Sequence, residues 1–188
     1  IQDAAHALGA DYKDKRIGKM PGMAVLSFHP VKHITTGEGG MVLTDNEKYY
    51  QRLLLFRSHG ITRDHSLLHR DGGGWYYEQQ ALGYNYRITD IQCALGISQM
   101  DRLDSFISRR RLLAGRYDEA FKEIKGIITP YQAEGCNSSW HLYTIQVENR
   151  KEVFDSLRKA GIGVNVHYIP VYMHPYYRGH GYRDVKCK

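Results

Sequence analysis

The residue best placed for chemistry is Lys32, which lies in a polar turn between two short apolar runs. The first run, residues 23–28, is typical of a buried strand and must end before Pro30, because proline donates no hydrogen bond to a sheet. The second run, residues 41–44, predicts another strand. A lysine held between two core strands can lose solvation, which lowers the pKa of its amine and makes it a nucleophile towards a carbonyl group.

A glycine-rich loop follows this lysine directly. Gly37, Gly39 and Gly40 carry no Cβ and let the backbone approach a bulky bound group. The loop is not a Walker phosphate loop, since no Gly-x-x-x-x-Gly-Lys-Ser/Thr frame fits it. From this segment alone two interpretations stand: a loop that holds a cofactor, or a hairpin with a solvated lysine and a flexible connection.

Two further motifs accompany the loop, Asp3-Ala4-Ala5-His6 before it and Gly83-Tyr84-Asn85-Tyr86-Arg87 after it. Together and in this order, the three segments resemble the DegT/DnrJ/EryC1/StrS family of sugar aminotransferases, which use pyridoxal 5′-phosphate (PLP). The resemblance runs over essentially the whole chain. The amino-acid sequence of residues 27–41 is most similar to that of the branch that aminates C4 of a UDP-linked 4-keto-6-deoxy-N-acetylhexosamine.

The resemblance implies a fold class and a domain organisation. The fold would be α/β, of the aspartate-aminotransferase-like type (fold type I), with part of the large domain and a smaller α+β C-terminal domain. Residues 1–88 would form the second half of the PLP-binding large domain. Residues 89–125 would form a long connecting helical region, and residues 126–188 a truncated small domain.

The resemblance also implies the residues that bind the cofactor. Lys32 would bind the PLP aldehyde covalently and carry a proton between the sugar C4 and the cofactor. Asp3 would pair with the pyridine nitrogen, His6 would lie near the ring hydroxyl, and Ser27 would donate to the phosphate. Asn85 would reach the phosphate of the neighbouring subunit's cofactor, so we expect a homodimer with a shared active site.

Each of these residues also has an ordinary structural interpretation. Asp3 could cap a helix, Ser27 could simply end a strand, and Asn85 could serve a turn. In the resembling family the small domain closes over the sugar nucleotide, so aromatic and imidazole side chains near a domain boundary are candidate substrate contacts, with packing as the alternative. The candidate substrate-binding residues are Arg87, Trp140, His141, His167 and Tyr168.

Composition limits the partners. The formal net charge is +6, but the charges are dispersed and the only tight basic run is 109–111, which the helical pattern predicts to be a solvated face. A nucleotide-sugar diphosphate is an anion, which the positive electrostatic field of the chain would attract. No nucleic-acid partner is predicted. The chain has no apolar run of membrane-spanning length and no visible signal peptide, so no membrane partner is predicted.

The cysteines and histidines indicate the compartment and argue against a metal. Three unclustered cysteines, an odd number, favour a reducing cytoplasm over a disulfide framework or a zinc site. His29 and His33 are four residues apart, but Pro30 between them prevents a helical pair of ligands. No metal site is therefore predicted.

The helices and strands around these motifs follow from caps and periodicity. Asp45 or Asn46 is predicted to cap a helix through Ser58, and Thr89 with Gln92 forms a capping box that opens one long helical region. A second capping box is predicted at 149–152, before a helix over 151–160 that ends at Gly161, and strands are predicted over 140–147 and 164–170. One helical face is predicted to be core: Leu103, Phe106, Ile107, Leu113, Tyr117, Phe121 and Ile124.

The chain begins with Ile1 within a motif and ends at 185–188 without the tail of the resembling enzymes. We therefore expect an internal fragment of a protein roughly twice as long, inactive on its own. The expected reaction transfers an amino group, with glutamate as donor. Two alternatives remain: a sugar dehydratase of the same family, against which Lys32 counts because histidine takes its place there, and a non-catalytic binding or regulatory protein with the same fold.

Overall fold

The computed structural model describes residues 1–182, which divide into two compact units. The first unit comprises Ile1–Glu119 and Tyr131–Tyr143, and the second comprises Ala120–Pro130 and the chain from Thr144 onward. The predicted truncation at 185–188 lies outside the described residues.

In chain order the elements are β1 (Gln2–Asp3), β2 (Asp11–Tyr12), β3 (Lys15–Arg16), β4 (Met23–Ser27), β5 (Gly40–Thr44), α1 (Glu47–Arg57), β6 (Ile61–Thr62), β7 (Glu78–Gln79), α2 (Asp90–Met100), α3 (Leu103–Phe121), β8 (Ile127–Ile128), β9 (Cys136–Asn137), β10 (Gln146–Val147), α4 (Arg150–Lys159), a 3-10 turn (Val171–Met173) and α5 (Pro175–Gly179).

The sheet that positions the site is three-stranded, in the order β1-β4-β5. Strand β1 runs parallel to β4, with Asp3 opposite Val25, and β5 runs antiparallel to β4, with Gly40 opposite Ser27. Strand β4 ends at Ser27, before the proline that cannot pair. The prediction of two strands flanking Lys32 is therefore confirmed. The first unit also contains the sheets β3-β2-β9 and β6-β7.

The core of the first unit lies between this sheet and helix α3. Its buried members from the sheet and its loops are small or aliphatic residues and one phenylalanine, and helix α3 contributes Leu103 and Ile107. Burial of such side chains is the main stabilising contribution of a domain of this size. The sheet and loop members are Ala4, Ala24, Leu26, Phe28 and Ile34.

The helix caps are largely as predicted. The Asn46 side chain accepts a hydrogen bond from the Tyr49 amide and caps α1. Thr89 and Gln92 form the predicted capping box of α2. The helical region is not continuous, however, because α2 ends at Met100 and α3 begins at Leu103.

The predicted apolar face of α3 is only partly correct. Leu103 and Ile107 are buried, but the third buried position is Ala114, while Leu113 is 38% exposed and Tyr117 is 48% exposed. Ala114 lies seven residues, or about two turns, after Ile107 and therefore on the same face, whereas Leu113 is rotated away by about 100°. The sequence pattern selected Leu113 for the core because its side chain is large and apolar, but the small neighbour Ala114 occupies the buried position.

The second unit contains the antiparallel pair β8-β10 and helix α4. The strand predicted over 140–147 is confirmed only at Gln146–Val147. No strand forms over 164–170 within the described residues, and nearly all of these side chains are exposed. Alternating apolar residues give a segment one apolar face, but a stable strand also needs a neighbouring strand to pair with.

The predicted second capping box is wrong. Asn149 does precede α4, but its backbone is left-handed, with φ of 49°, and its side chain makes no capping hydrogen bond. Gly161 has φ of 80° after the helix, which confirms the predicted end of α4. None of the helices in residues 1–182 combines the length and apolarity needed to span a bilayer.

Candidate active site

Four of the predicted site residues lie at or just after the carboxyl ends of two parallel strands. Strand β1 ends at Asp3, with His6 three residues later, and β4 ends at Ser27, with Lys32 five residues later. In α/β folds ligands bind outside the carboxyl ends of parallel strands, because loops there converge at one edge. Gly40 pairs with Ser27, so the glycine loop lies at this edge too.

The turn that carries Lys32 is closed by hydrogen bonds across its base. The Phe28 amide donates to the Gly39 carbonyl at 2.8 Å, and the Thr36 amide donates to the Phe28 carbonyl at 3.1 Å. Lys32 is half-buried, and its amine makes no hydrogen bond or ion pair with any of the residues 1–182. The turn is therefore a fixed support for an unpaired amine rather than a flexible connection.

Two of the loop glycines are required by the protein's own chain. A Cβ at Gly40 would lie 2.7 Å from the Leu26 carbonyl oxygen, and one at Gly39, whose φ is +152°, would collide with the Thr36 hydroxyl. At these two positions the hairpin itself requires a residue without a Cβ.

Helix α2 holds the loop after Lys32 through two glutamines. The Gln99 side-chain oxygen accepts from the Thr35 amide at 3.0 Å, and the Gln92 side-chain amide donates to the Glu38 carbonyl at 2.9 Å. Gln92 was identified in the sequence only as part of a cap, and Gln99 gave no signal. Both contacts join residues more than fifty positions apart, which local patterns do not report.

Three histidines, His6, His33 and His141, form what we call the imidazole cluster. The His6 and His141 ring centroids are 4.3 Å apart, and those of His33 and His141 are 5.5 Å apart. His33 is only 4% exposed. The sequence singled out His6 and His141 separately and considered His33 only as an improbable metal ligand. Within residues 1–182 no group of His, Cys, Asp and Glu side chains is arranged to hold a metal ion.

Burial keeps two of these imidazoles neutral. Burial, together with the positive charge of Arg110, lowers the pKa of His33 from 6.5 to about 4, and the Ser139 backbone opposes this shift only in part. Burial, with the neighbouring His6 and Lys32, lowers the pKa of His141 to about 4. Nδ1 of His141 has no hydrogen-bond partner among the described residues.

Two arginines of helix α3 fasten the segment that carries His141. Arg110 Nη1 donates to the carbonyls of Trp140 and His141, both at 3.1 Å. Arg111 Nε donates to the Ser138 carbonyl at 3.0 Å. The prediction that residues 109–111 form a solvated face is therefore wrong for Arg110 and Arg111. The available signal was their position three and four residues after the buried Ile107, on the same helix side.

Asn85 and Arg87 lie together beside the glycine loop. Arg87 Nε donates to Asn85 Oδ1 at 3.0 Å, and both side chains are exposed. They line an open cleft of about 310 Å³. The other lining residues are Glu38, Gly39, Gly40, Tyr86, Ile88 and Gln92.

The remaining predicted substrate contacts lie in different units. Trp140 is half-buried in the first unit, with its ring 5.5 Å from that of Tyr143. His167 and Tyr168 belong to the second unit, where their rings meet edge to face at 4.4 Å and both side chains are exposed.

Comparison with known proteins gives a consistent result. The model of the DegT/DnrJ/EryC1/StrS aminotransferase family matches residues 1–188. A UDP-4-amino-4,6-dideoxy-N-acetyl-beta-L-altrosamine transaminase of Campylobacter jejuni is 42% identical over 95% of this chain and 46% of its own length. The spore coat polysaccharide biosynthesis protein SpsC of Bacillus subtilis is 38% identical over 98% of this chain and 50% of its own length.

A solved structure, the PLP form of the putative sugar aminotransferase Spr1654 from Streptococcus pneumoniae, superimposes with a TM-score of 0.83. It is 34% identical and is matched over 95% of this chain and 46% of its own. The chain thus spans about half the length of the curated relatives it matches. The predicted fold class, that of PLP-dependent sugar aminotransferases, is confirmed, and PLP is the cofactor of this family. The chain belongs to the DegT/DnrJ/EryC1/StrS aminotransferase family.

Proposed function

We propose that the protein containing this chain transfers an amino group from glutamate to C4 of a nucleotide-linked 4-keto-6-deoxy sugar, with PLP as cofactor. The family match and the name of the Campylobacter jejuni relative support this reaction class. The observation that carries the proposal is the unpaired Lys32 amine, fixed at the sheet edge where Asp3 and Ser27 also lie.

The side chains at this edge of the sheet have the unused hydrogen-bonding atoms that PLP binding requires. Asp3 Oδ1 accepts from the Ala5 amide at 3.2 Å, which leaves Oδ2 for a protonated ring nitrogen. Ser27 Oγ accepts from the His29 amide at 3.4 Å, so its hydroxyl proton remains available for a phosphate oxygen. These residues therefore fit the group, and we assign His6 to the neighbourhood of the ring hydroxyl.

The bound cofactor supplies an electron sink for the charge left on carbon when a proton departs. Lys32 Nζ would hold the cofactor through its aldehyde, and the same amine would move a proton at the reacting sugar carbon. Asp3 keeps the ring nitrogen protonated through its negative charge. Neutral His33 and His141 beside Lys32 add no positive charge, so Nζ can accept a proton without extra repulsion.

Substrate contacts and assembly complete the proposal. We assign Asn85 to the cofactor phosphate of a neighbouring subunit, which makes the enzyme a homodimer with shared sites. Support comes from its exposure and from the adjacent Arg87 guanidinium, a group suited to phosphates. The residues proposed to contact the nucleotide sugar are Arg87, Trp140, His141, His167 and Tyr168.

The same proposal covers the division of the chain and its compartment. We assign residues 1–88 to the PLP-binding large domain, 89–125 to a connecting helical region and 126–188 to the small domain. The reaction is assigned to the cytoplasm, since Cys93 and Cys136 are free thiols.

The direct test is turnover by the full-length protein with PLP, glutamate and a panel of nucleotide-linked 4-keto sugars, with product mass as the readout. We expect an amino sugar, and we expect Lys32→Ala to abolish both turnover and the visible absorption of the bound cofactor. Borohydride reduction should leave a pyridoxyl group on Lys32. Lys19→Ala, which removes an exposed lysine of the same unit, is the control.

Three results would contradict the proposal. A deoxygenated product without new nitrogen would indicate a dehydratase. Absence of PLP binding and of turnover would favour a non-catalytic protein. A pyridoxyl label on Lys13, Lys15 or Lys19 in place of Lys32 would remove Lys32 from its assigned role.

A further inference from the structure

We propose that Arg110 is a positioning residue, which holds the His141 imidazole against His6 beside Lys32 by fixing the backbone at Trp140 and His141. The inference rests on the proposed function, because it takes Lys32 and His141 as parts of the active site. It adds to that site a residue that acts through the Trp140 and His141 backbone.

The helix that presents Arg110 is firmly anchored. Leu103 and Ile107 of helix α3 belong to the buried core that also contains Leu26 and Phe28 of the sheet and its following loop. Arg110 lies three residues after Ile107 and projects from the same side of the helix. The guanidinium is therefore tied to the layer that carries Lys32.

The contact itself is specific in geometry. A single nitrogen, Arg110 Nη1, donates to two successive carbonyls, those of Trp140 and His141. Trp140 has φ of 50°, a left-handed conformation that is disfavoured for a residue with a side chain. Hydrogen bonds from a charged donor to the Trp140 and His141 carbonyls offset that strain, and their loss would leave both carbonyls without this donor.

The adjacent residues Arg109 and Arg111 show by comparison what is particular to Arg110. Arg111 bonds the Ser138 carbonyl and lies 3.7 Å from Asp11 Oδ2, so it fastens the same segment further from His141. Arg109 is exposed and makes no hydrogen bond or ion pair with the described residues. Only Arg110 therefore combines the core-facing side of the helix with a contact at His141.

The consequence concerns the imidazole cluster. The His141 ring is held 4.3 Å from His6 and 5.5 Å from His33 by centroid distance, and Lys32 acts electrostatically on both His33 and His141. Groups that take part in a reaction must be held to roughly half an ångström. If the Trp140–His141 backbone is released, His141 leaves this arrangement and becomes more solvated.

The experiment compares Arg110→Met with Arg109→Met in the full-length, PLP-loaded protein. The first readout is diethyl pyrocarbonate modification of His141, followed by peptide mass spectrometry between about pH 4 and pH 8. We expect Arg110→Met to raise the pKa of His141 from about 4 towards 6.5, because solvation increases and a positive neighbour is removed. Arg109→Met should leave the titration unchanged.

The second readout is kinetic. We expect kcat to fall about tenfold in Arg110→Met with KM for glutamate nearly unchanged, as for a loss felt in the transition state. Arg110→Lys, which keeps the charge but lacks the planar fork, should give an intermediate kcat and provides the test if Arg110→Met does not fold.

The outcomes separate the two proposals. An Arg110 variant that only lowers the melting temperature, with the His141 titration and kcat of wild type, would overturn the positioning role. If wild type fails to form any amino sugar, the proposed function fails, while the modification of His141 still decides whether Arg110 positions that ring.

Discussion

Gly9 lies directly against Ile107, at the point where helix α3 packs on the N-terminal segment of the first unit. A Cβ at position 9 would collide with the end of the Ile107 side chain, and the Gly9 backbone has φ of +76°. The Gly9 carbonyl also accepts from Arg16 Nη1 at 2.9 Å and from Arg111 Nη2 at 3.5 Å. This glycine therefore sets how closely the helix that carries Arg110 approaches the site.

Gly9→Ala should lower the free energy of unfolding by about 1–3 kcal/mol, because the methyl group overpacks the core and the left-handed backbone strains alanine. Gly115→Ala is the matched control, since the space around Gly115 in helix α3 is open. That variant should gain about 0.5–1 kcal/mol from helix propensity. Urea denaturation of the full-length protein measures both, and equal values would contradict the packing account.

Asp3→Asn should retain the cofactor but slow turnover on the order of a hundredfold or more, because a neutral amide does not stabilise a protonated ring nitrogen. Single-turnover kinetics with glutamate measure the effect. Asp14→Asn is the control, because Asp14 is exposed and its left-handed backbone suits asparagine. Wild-type rates in Asp3→Asn would remove Asp3 from the site.

Stability should fall as the pH drops from about 6.5 to about 4. His33 binds a proton at about 6.5 when unfolded and only at about 4 when folded, so over this range protons favour the unfolded state. The contribution of His33 is about 3 kcal/mol, fully present above pH 6.5 and lost as the pH falls through that window. Melting temperatures at a series of pH values measure it.

The variant His33→Asn should flatten part of this pH dependence, because asparagine does not titrate. The remaining slope includes His141, whose pKa is lowered in the same direction. His65→Asn, at an exposed position, should keep the full dependence. An unchanged slope in His33→Asn would show that this imidazole is not held neutral by burial.

Thr89→Ala should destabilise the protein by about 1 kcal/mol, because the hydroxyl accepts from the Gln92 amide and begins helix α2. Thr89→Ser keeps the hydroxyl and should lose much less. Since Gln92 also donates to the Glu38 carbonyl, hydrogen exchange at the glycine loop should rise in Thr89→Ala alone. Equal stability of the two variants would contradict the capping role.

The elements nearest the site could be predicted because their signals are local. Pro30 ends one strand, Asn46 caps a helix, and the Thr89–Gln92 pair opens another, each through a backbone constraint within a few residues. The failures have an equally physical cause. The alternation over 164–170 did not make a strand, since pairing depends on a neighbour that local sequence does not specify.

The sequence by itself determined the family, the fold class and the placement of Lys32 in a turn between two strands, because these depend on residue type and spacing along the chain. Only the tertiary structure decided that Arg110 donates hydrogen bonds to the backbone at His141 and that His33 is buried and neutral. Those facts arise where a helix face meets a loop thirty residues later in the chain. The free energy of such contacts depends on burial and geometry, which no local pattern encodes.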